Sequence, residues 1–261
     1  MIYTFCTKTD PGRARENNED SAAYDEPTYL GVLADGMGGY NAGEIASGMA
    51  TAFIKSEMAR WLSEVGKNAK AKEVRRALEI CVDNANRSIF NAANSNSQYS
   101  GMGTTLVVAV FLDSRVLIGH IGDSRCYRLR NGELLQITKD HSLLQEQIDA
   151  GLLTLEQAAT ASHKNLVTRA LGVEDAVLLE LNEHQVESGD LYLLCSDGLS
   201  DMVDDAEIAK IVCSQTPLEQ RAERLVSAAN EHGGRDNITV LMVQADTGGE
   251  KRGLISRLLG K

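Results

Sequence analysis

Short apolar runs at both ends of the chain, with two long amphipathic stretches between them, constrain the fold of this sequence more than any other feature. Residues 2–6, 21–24 and 29–34 predict strands, because each run is rich in apolar or β-forming residues and is bounded by Gly, Asp or Pro. From residue 42, and again from residue 72, apolar side chains recur at three- and four-residue steps. This spacing predicts two amphipathic helices after the first strands.

A meander of strands is predicted next, over residues 105–112, 116–121, 125–129 and 134–138, and Asn131-Gly132 forms a hairpin signal within it. Helical patterns follow at 142–150, 155–161, 166–171 and 218–231, and strands at 177–181, 191–195 and 238–243. This order lacks the regular alternation of strand and helix that builds a parallel sheet. The sequence therefore predicts an α+β fold with packed antiparallel sheets.

Three apolar runs end on an aspartate that stands beside a glycine: Asp35 in GVLADG, Asp123 in IGHIGD and Asp197 in LYLLCSDG. One such aspartate is ordinarily an Asx-turn. Three of them, joined by Asp20 in NNEDS and Asp236 in GGRDNIT, predict that five carboxylates converge. Carboxylates at one spot repel one another, so they must protonate or bind cations.

The donor types in this cluster favour hard cations. Oxygen ligands alone select Mg²⁺ or Mn²⁺, whereas zinc prefers His and Cys. None of the five histidines stands in an HExxH segment or at another paired ligand spacing. Two such ions about 3.5 to 4 Å apart can bridge a hydroxide and direct it in line at phosphorus. The cluster therefore predicts a metal-dependent phosphoester hydrolase.

Eight segments between about residues 9 and 243 stand in a fixed order: GRARENNEDS, GVLADGMGGYNAGEIAS, GMGTTLVV, IGHIGDSRCYRLRNGEL, ITKDHSLL, NLVTRALG, LCSDGLSDMV and GGRDNITVLMV. In that order they resemble the motifs of the metal-dependent protein phosphatases, the PPM family of type 2C serine/threonine phosphatases, in the short bacterial form. A single piece such as GDSR is a weak signal, whereas eight in order are highly specific. The resemblance implies a central antiparallel β-sandwich flanked by helix pairs, an αββα arrangement.

The resemblance also implies roles for the carboxylates. Asp35 is similar to the carboxylate that bridges two central metal ions. Asp20, the carbonyl of Gly36, Asp197 and Asp236 are expected to complete the ligands of that pair.

Two further acidic residues match more distant ligands of the family. Glu19 is expected to contact the metal ions through a water molecule. Asp123, together with Asp197, matches a third and looser metal site.

Arg15, five residues before Asp20, matches the arginine that grips the substrate phosphate, a task for which a planar guanidinium suits better than Lys. Asn237 is expected to support Asp236. Met37 departs from the family members that carry His after the Asp-Gly pair, and it cannot give a proton to the departing alkoxide. The general acid is thus unassigned, with metal-bound water and His141 as open alternatives.

The implied activity is hydrolysis of phosphoserine and phosphothreonine on proteins by a metal-bridged hydroxide, opposing a Ser/Thr protein kinase. Two alternatives stay open: the same two-metal site acting on a small phosphoester, and a non-catalytic PPM-like module that senses ligands or scaffolds a complex. A non-catalytic module would have lost carboxylates that bind the metal ions, and none of these carboxylates is missing from this sequence. The expected partners are phosphorylated proteins, including a Ser/Thr kinase and its substrates, and the expected state is a monomer.

The net charge and the cysteines narrow the possible partners and the cellular compartment of the protein. The chain has 26 Lys and Arg against 37 Asp and Glu, a formal charge of −11, which disfavours a nucleic-acid partner. Five scattered cysteines without a CxxC pair suit a reducing compartment. The start of the chain shows no signal-peptide pattern, and the longest apolar run, residues 106–112, is too short to span a bilayer. We expect a cytoplasmic protein without stable membrane insertion.

Three regions are expected along the chain. Residues 1–246 form the PPM-type catalytic domain, and about 144–164 match the variable flap near the active site, which either recognises substrate or packs on the sandwich. Residues 247–261 form a tail that is basic and amphipathic in pattern. Such a tail either touches anionic lipid or a partner groove, or stays solvated.

Overall fold

The computed structural model describes residues 1–39, 42–65, 69–154, 157 and 166–247. Eleven strands lie in this described part: β1 (Ile2–Asp10), β2 (Asp20–Asp25), β3 (Leu30–Met37), β4 (Gly103–Thr104), β5 (Leu106–Phe111), β6 (Arg115–Ile121), β7 (Arg125–Arg130), β8 (Glu133–Gln136), β9 (Glu180–Gln185), β10 (Leu191–Cys195) and β11 (Ile238–Asp246).

The helices of the described part are α1 (Ala42–Val65), α2 (Ala71–Ser95), α3 (Leu143–Asp149), α4 (Asp197–Ser200), α5 (Asp205–Val212) and α6 (Leu218–Glu231), with a 3₁₀ turn at Ser97–Tyr99. The side chain of Ser142 caps the N-terminus of α3 by accepting a hydrogen bond from the Gln145 amide.

The strands form two sheets. The first sheet has the order β1-β11-β10-β7-β8, and the second has the order β2-β3-β5-β6-β9, with β4 paired to β3. Every pairing between these strands is antiparallel. The sheets share a buried core to which Phe5 and Tyr192 contribute from the first sheet and Leu33 and Phe111 from the second.

Helices cover both outer faces of this sandwich. In β5, Val107 and Ala109 face the other sheet, whereas Val108 and Val110 pack in a second core with α1 and α2. This is the two-residue alternation of a strand that is buried on both faces. A third core joins the first sheet to α5 and α6. The predicted αββα sandwich is therefore confirmed.

Three local predictions need correction. The helix predicted over residues 166–171 is wrong, because Val167 forms a bridge with Ser142 and Leu171 with Thr104, which holds this segment extended. The strand predicted at 177–181 begins later, at Glu180. The helices α4 and α5 had no counterpart in the predictions.

Some predictions fall outside the described residues. These are the helix at 155–161, most of the second half of the expected flap, and the tail from residue 248.

Cys6, Cys81, Cys126 and Cys195 are buried free thiols, and Cys213 is a partly exposed one. Among the described helices, none combines the length and the apolar character needed to span a membrane.

Candidate active site

Two carboxylates meet on neighbouring strands of the second sheet. Asp20 begins β2 and is the direct partner of Asp35 in β3. Directly opposed residues of an antiparallel pair project from the same face, so the register brings both side chains together. Asp20 Oδ2 accepts a 2.7 Å hydrogen bond from Ser196 Oγ, whereas its Oδ1 is shielded from solvent and has no hydrogen-bond partner.

Ser196 connects this pair to the first sheet. Its amide donates to the Thr239 carbonyl oxygen, and the Thr239 amide donates to Ser196 Oγ at 2.9 Å. Ser196 follows β10 and precedes Asp197, while Asp236 comes just before the neighbouring strand β11. The ends of both sheets therefore supply aspartates to one place. The pattern of apolar runs identified these aspartates but not the serine that orients Asp20.

The five aspartates lie close enough for the charges of four of them to act on Asp35. Desolvation raises the pKa of Asp35 well above its ordinary value, and the charges of Asp20, Asp197, Asp123 and Asp236 raise it further. Desolvation also raises the pKa of Asp197, and the charge of Asp123 is the next contribution. Asp35 and Asp197 therefore resist ionisation in the presence of the neighbouring carboxylates.

Burial raises the pKa of Asp20 and of Asp123 to about 6. The hydrogen bond from Ser196 opposes this rise at Asp20, whereas the charge of Asp140 adds to it at Asp123. A sixth carboxylate, Asp201, raises the pKa of both Asp123 and Asp197. Sequence reasoning missed Asp201, although its position four residues after Asp197 places it about one helical turn away.

Arg15 and Glu19 lie on the loop between β1 and β2. Arg15 Nη2 is 2.8 Å from Asp236 Oδ2, and 54% of the Arg15 side chain is exposed. This hydrogen bond is the main reason that the pKa of Arg15 is raised. Burial raises the pKa of Glu19, whereas the nearby charge of Arg15 lowers it. The structure thus places both residues at the edge of the aspartate cluster.

Asn237 anchors this loop from the first sheet. Its buried side chain donates to the carbonyl oxygens of Pro11 and Asn17 at 3.0 and 2.8 Å, and it accepts from the Glu19 amide at 2.7 Å. The Asn237 amide donates to Asp236 Oδ1 at 2.9 Å. One residue thereby fixes both Asp236 and the loop that carries Arg15 and Glu19.

Two glycines next to the aspartates allow close backbone contacts. A Cβ atom on Gly36 would lie 2.2 Å from the Gly43 carbonyl oxygen at the start of α1. A Cβ atom on Gly198 would lie 2.0 Å from the carbonyl oxygen of Asn237. Any side chain at either position would push the aspartate beside it out of the cluster.

Thr105 links Asp35 to the loop that carries Asp123. The Asp35 amide donates to Thr105 Oγ1 at 3.0 Å, and the Thr105 amide donates to the Asp35 carbonyl oxygen at 2.8 Å. Thr105 Oγ1 also lies 2.7 Å from Ser124 Oγ, and both atoms are buried. The GMGTT segment predicted only a strand start here, so sequence reasoning missed this connection.

His141 is buried and its ring nitrogens are occupied. Nδ1 accepts from the Gly122 amide at 3.2 Å, and Nε2 lies 3.3 Å from Glu180 Oε2. Burial is the main reason that the pKa of His141 is lowered. These contacts favour a structural role, in which His141 holds the residue before Asp123, over that of a general acid.

Within the described ranges, one set of three metal-binding side chains has its ligand atoms all within 4.8 Å: His120, His141 and Glu180. The rings of the two histidines are stacked, with centroids 4.6 Å apart. His120 Nε2 is paired with the Lys139 carbonyl oxygen at 2.7 Å. Three of the four ring nitrogens therefore have hydrogen-bond partners, as expected of a structural cluster.

The aspartate cluster has the properties of a cation site. All its donors are oxygen atoms, four negative charges surround Asp35, and one shielded oxygen of Asp20 lacks a partner. An uncompensated cluster of this kind is costly unless a cation or protons neutralise it. The residues present therefore fit hard divalent cations.

Comparison with known proteins agrees with this geometry. The protein phosphatase 2C family matches residues 13–240. The serine/threonine phosphatase stp of Listeria innocua is 39% identical over 240 residues, which cover 91% of this chain and 94% of that protein.

Solved structures share the fold. The crystal structure of the Mycobacterium tuberculosis serine/threonine phosphatase PstP/Ppp has a TM-score of 0.85 and 37% identity, and the match covers 95% of this chain and 100% of that one. The catalytic domain of the serine/threonine protein phosphatase PstP, solved in complex with two manganese ions, has a TM-score of 0.81 and 36% identity over 94% of this chain and 99% of that one. This chain therefore belongs to the protein phosphatase 2C family.

Proposed function

We propose that the aspartate cluster holds the divalent ions with which this serine/threonine protein phosphatase dephosphorylates proteins. Phosphoester hydrolysis by the chain is metal-dependent, in keeping with its family and with the two manganese ions of the PstP structure. The observation that carries the proposal is the convergence of four other carboxylates on Asp35. Bound cations would neutralise such a charge arrangement.

Two central ions would be held by Asp35, at the centre of the cluster, together with Asp20, the Gly36 carbonyl, Asp197 and Asp236. Glu19 contributes through water.

A third ion would be held by Asp123 and Asp197. The buried position of Asp123, only 8% exposed, and its coupling to Asp197 support this assignment.

When bound, the ions activate water at neutral pH and neutralise charge on the phosphate. The residues of the chain supply orientation and binding. Arg15 binds the phosphate oxygens through its planar guanidinium, for which its exposed position beside Asp236 is suitable. Asn237 fixes the loop that carries Arg15 and thereby keeps Arg15 within reach of the phosphate. Ser196 fixes one oxygen of Asp20 by a hydrogen bond. Met37 has no proton to donate, so it serves in packing or contact.

Mn²⁺ and Mg²⁺ both suit this donor set. The substrates are phosphoproteins, among them a Ser/Thr protein kinase and the proteins that it phosphorylates. The chain acts in signal transduction as a cytoplasmic monomer. Residues 1–246 make up the catalytic domain, which includes the flap at about 144–164. The tail follows this domain at 247–261.

The proposal is tested by measuring phosphate release from phosphoserine, phosphothreonine and phosphotyrosine peptides in EDTA, Mn²⁺ and Mg²⁺. We expect turnover of the first two only with added metal. Asp35→Asn and Asp197→Asn should each lower kcat at least about a hundredfold, because removal even of a residue that only supports a metal ligand costs 10- to 100-fold. Asp123→Asn should slow turnover while the central ions remain bound.

Asp246→Asn is the matched control, because Asp246 ends β11 and is exposed. It should behave as the wild type. Full turnover in EDTA, or a near-normal rate in Asp35→Asn, would exclude the proposed site. Loss of the central ions in Asp123→Asn would show that this residue belongs to the central pair.

A further inference from the structure

A cleft opens directly beside the proposed active site. It occupies about 460 Å³ and is lined mainly by apolar side chains, among them Met37, Val167, Val173, Val177 and Leu178. Met37 is two residues after Asp35 in β3, so their Cα atoms are at most about 7 Å apart. Met37 therefore places one side of the cleft close to Asp35.

The far wall of the cleft is held in place by the core. Asn86 of α2 is fully buried, accepts from the Gly172 amide at 2.7 Å and donates to the Glu174 carbonyl oxygen at 3.0 Å. The backbone amides of Leu171 and Thr104 each donate a hydrogen bond to the carbonyl oxygen of the other residue. A Cβ atom on Gly103, the strand partner of Met37, would lie 2.8 Å from Val173 Cγ2, so the wall sits against β4. The cleft is preformed, as ligand sites usually are.

Its apolar lining is open to solvent. Leu178 is 73% exposed and Val173 is 54% exposed. The charged residues that also line the cleft, Arg169 and Glu174, have opposite signs, so the cleft selects neither an acidic nor a basic group. Exposed apolar surface next to a catalytic centre favours an apolar occupant.

The position of the cleft identifies that occupant. A substrate bound with its phosphate at the aspartate cluster carries flanking residues, each of which extends about 3.3 to 3.6 Å along the chain. A residue one to three positions from the phosphorylated one therefore reaches the cleft.

We propose that this cleft is a specificity site, which binds a bulky apolar side chain located within three residues of the phosphorylated residue. The inference rests on the proposed phosphatase function and names a feature of its substrates. A side chain such as Leu, Ile, Met or Phe would bury its apolar surface against Leu178, Val173 and Met37.

The test uses the full chain with saturating Mn²⁺ and a phosphothreonine peptide whose flanking residues are all Gly. In each test peptide, one flanking Gly is replaced by a single Leu, or by a single Asp as the charged contrast. The replacement is made in turn at each of the three positions before and the three positions after the phosphothreonine. We expect Leu at one position, or at two adjacent ones, to raise kcat/KM about tenfold over Gly, because partial burial of a Leu side chain is worth that much. Asp should give no increase.

Two variants locate the effect. Leu178→Ser, and Leu178→Ser combined with Val173→Ser, should bring the ratio of kcat/KM for the Leu and all-Gly peptides close to one. Leu135→Ser is the matched control, because Leu135 is 48% exposed and lies on β8 at the edge of the first sheet. It should leave the ratio unchanged.

Absence of a Leu preference at all six positions would overturn the inference, and so would a preference that survives the double variant. Hydrolysis of p-nitrophenyl phosphate, which has no flanking chain, separates this failure from failure of the catalytic site. If the wild type hydrolyses that compound with Mn²⁺ and shows no Leu preference, only the specificity site is wrong.

Discussion

The Arg15 guanidinium is bound to the Asp236 carboxylate, with 2.8 Å between Nη2 and Oδ2. The two residues have separate proposed tasks, since Arg15 binds the substrate phosphate and Asp236 binds a metal ion. In this ion pair, each group satisfies the charge of the other. If Asp236 binds a metal ion as proposed, that ion would compete with Arg15 for the carboxylate, and its binding would free Arg15 for the substrate phosphate.

Arg15→Ala should raise KM for a phosphothreonine peptide about tenfold and lower kcat less, because the guanidinium contacts phosphate in both the ground and the transition state. Mn²⁺ affinity, measured by calorimetry, should stay equal or become tighter, since the variant removes the competitor of the metal. Arg15→Lys should recover only part of the loss, because an ammonium cannot form the planar fork.

Arg13→Ala provides the control for this loop. Arg13 is also exposed, and its side chain donates a long, 3.4 Å hydrogen bond to the Asn230 carbonyl oxygen. Its kinetics should match those of the wild type. Unchanged KM and kcat in Arg15→Ala would place the phosphate-binding group elsewhere, and weaker metal binding would contradict the competition.

Thr105 should matter through its hydroxyl group. Thr105→Val keeps the shape but removes the acceptor of the Asp35 amide and the partner of Ser124, so the backbone at Asp35 loses its support. We expect kcat to fall about 10- to 100-fold, as for the loss of other residues that orient metal ligands. Mn²⁺ affinity in a calorimetric titration should fall as well.

Thr105→Ser retains the hydroxyl and should restore most of both properties. If Thr105→Val and Thr105→Ser lose activity equally, the methyl group is the important part, since Gly122 packs closely against the Thr105 side chain.

Asn237→Ala should destabilise the fold. The change leaves the Glu19 amide and the carbonyl oxygens of Pro11 and Asn17 without their partner. Each buried polar group that is left without a partner costs about 1 to 3 kcal/mol. We therefore expect the free energy of unfolding to fall by about 2 to 4 kcal/mol. Urea titration in EDTA measures it without the contribution of bound metal.

Asn94→Ala is the control, because Asn94 is exposed on α2 and its side chain donates to the carbonyl oxygen one turn earlier. It should change stability by less than about 0.5 kcal/mol. A similarly small effect in Asn237→Ala would show that water replaces its three hydrogen bonds.

The sequence predicts the sandwich well because both sheets have simple periodic patterns. The buried strands are short apolar runs, and the hairpin at Asn131-Gly132 has the positive φ at both residues that a type I′ turn requires. Helix α6 was predicted with its observed bounds, since its buried face recurs at helical spacing.

The segment 166–171 shows where such patterns fail. Its apolar spacing predicts a helix, yet pairing of Val167 and Leu171 with distant residues holds it extended. Tertiary contacts outweigh a short helical preference, which is worth only tenths of a kcal/mol per residue. The aspartates of the site were identified because each follows or precedes an apolar run. Ser196, Thr105 and Asp201 were missed, because their importance depends on which strand ends meet in space.

The carboxylates also determine how stability depends on pH. Burial raises the pKa of Asp20 and Asp123 from 3.8 to about 6, so between these values the folded protein binds more protons than the unfolded one. Their contribution to stability is complete below about pH 4 and is lost as the pH rises through 6. In EDTA, the melting temperature should therefore rise on acidification from pH 7.5 to 5. With saturating Mn²⁺ the trend should reverse, because the metal stabilises the ionised carboxylates and protons displace it.

Asp123→Asn isolates one of these contributions. In EDTA its melting temperature should depend less steeply on pH than that of the wild type, and it should exceed the wild-type value at pH 7.5, where the ionised Asp123 is unfavourable. Each unit of pKa shift corresponds to about 1.4 kcal/mol, so a difference of a few degrees is expected. Asp246→Asn, at the exposed end of β11, should retain the wild-type slope. Equal slopes for Asp123→Asn and the wild type in EDTA would mean that Asp123 ionises normally and lies outside the carboxylate cluster.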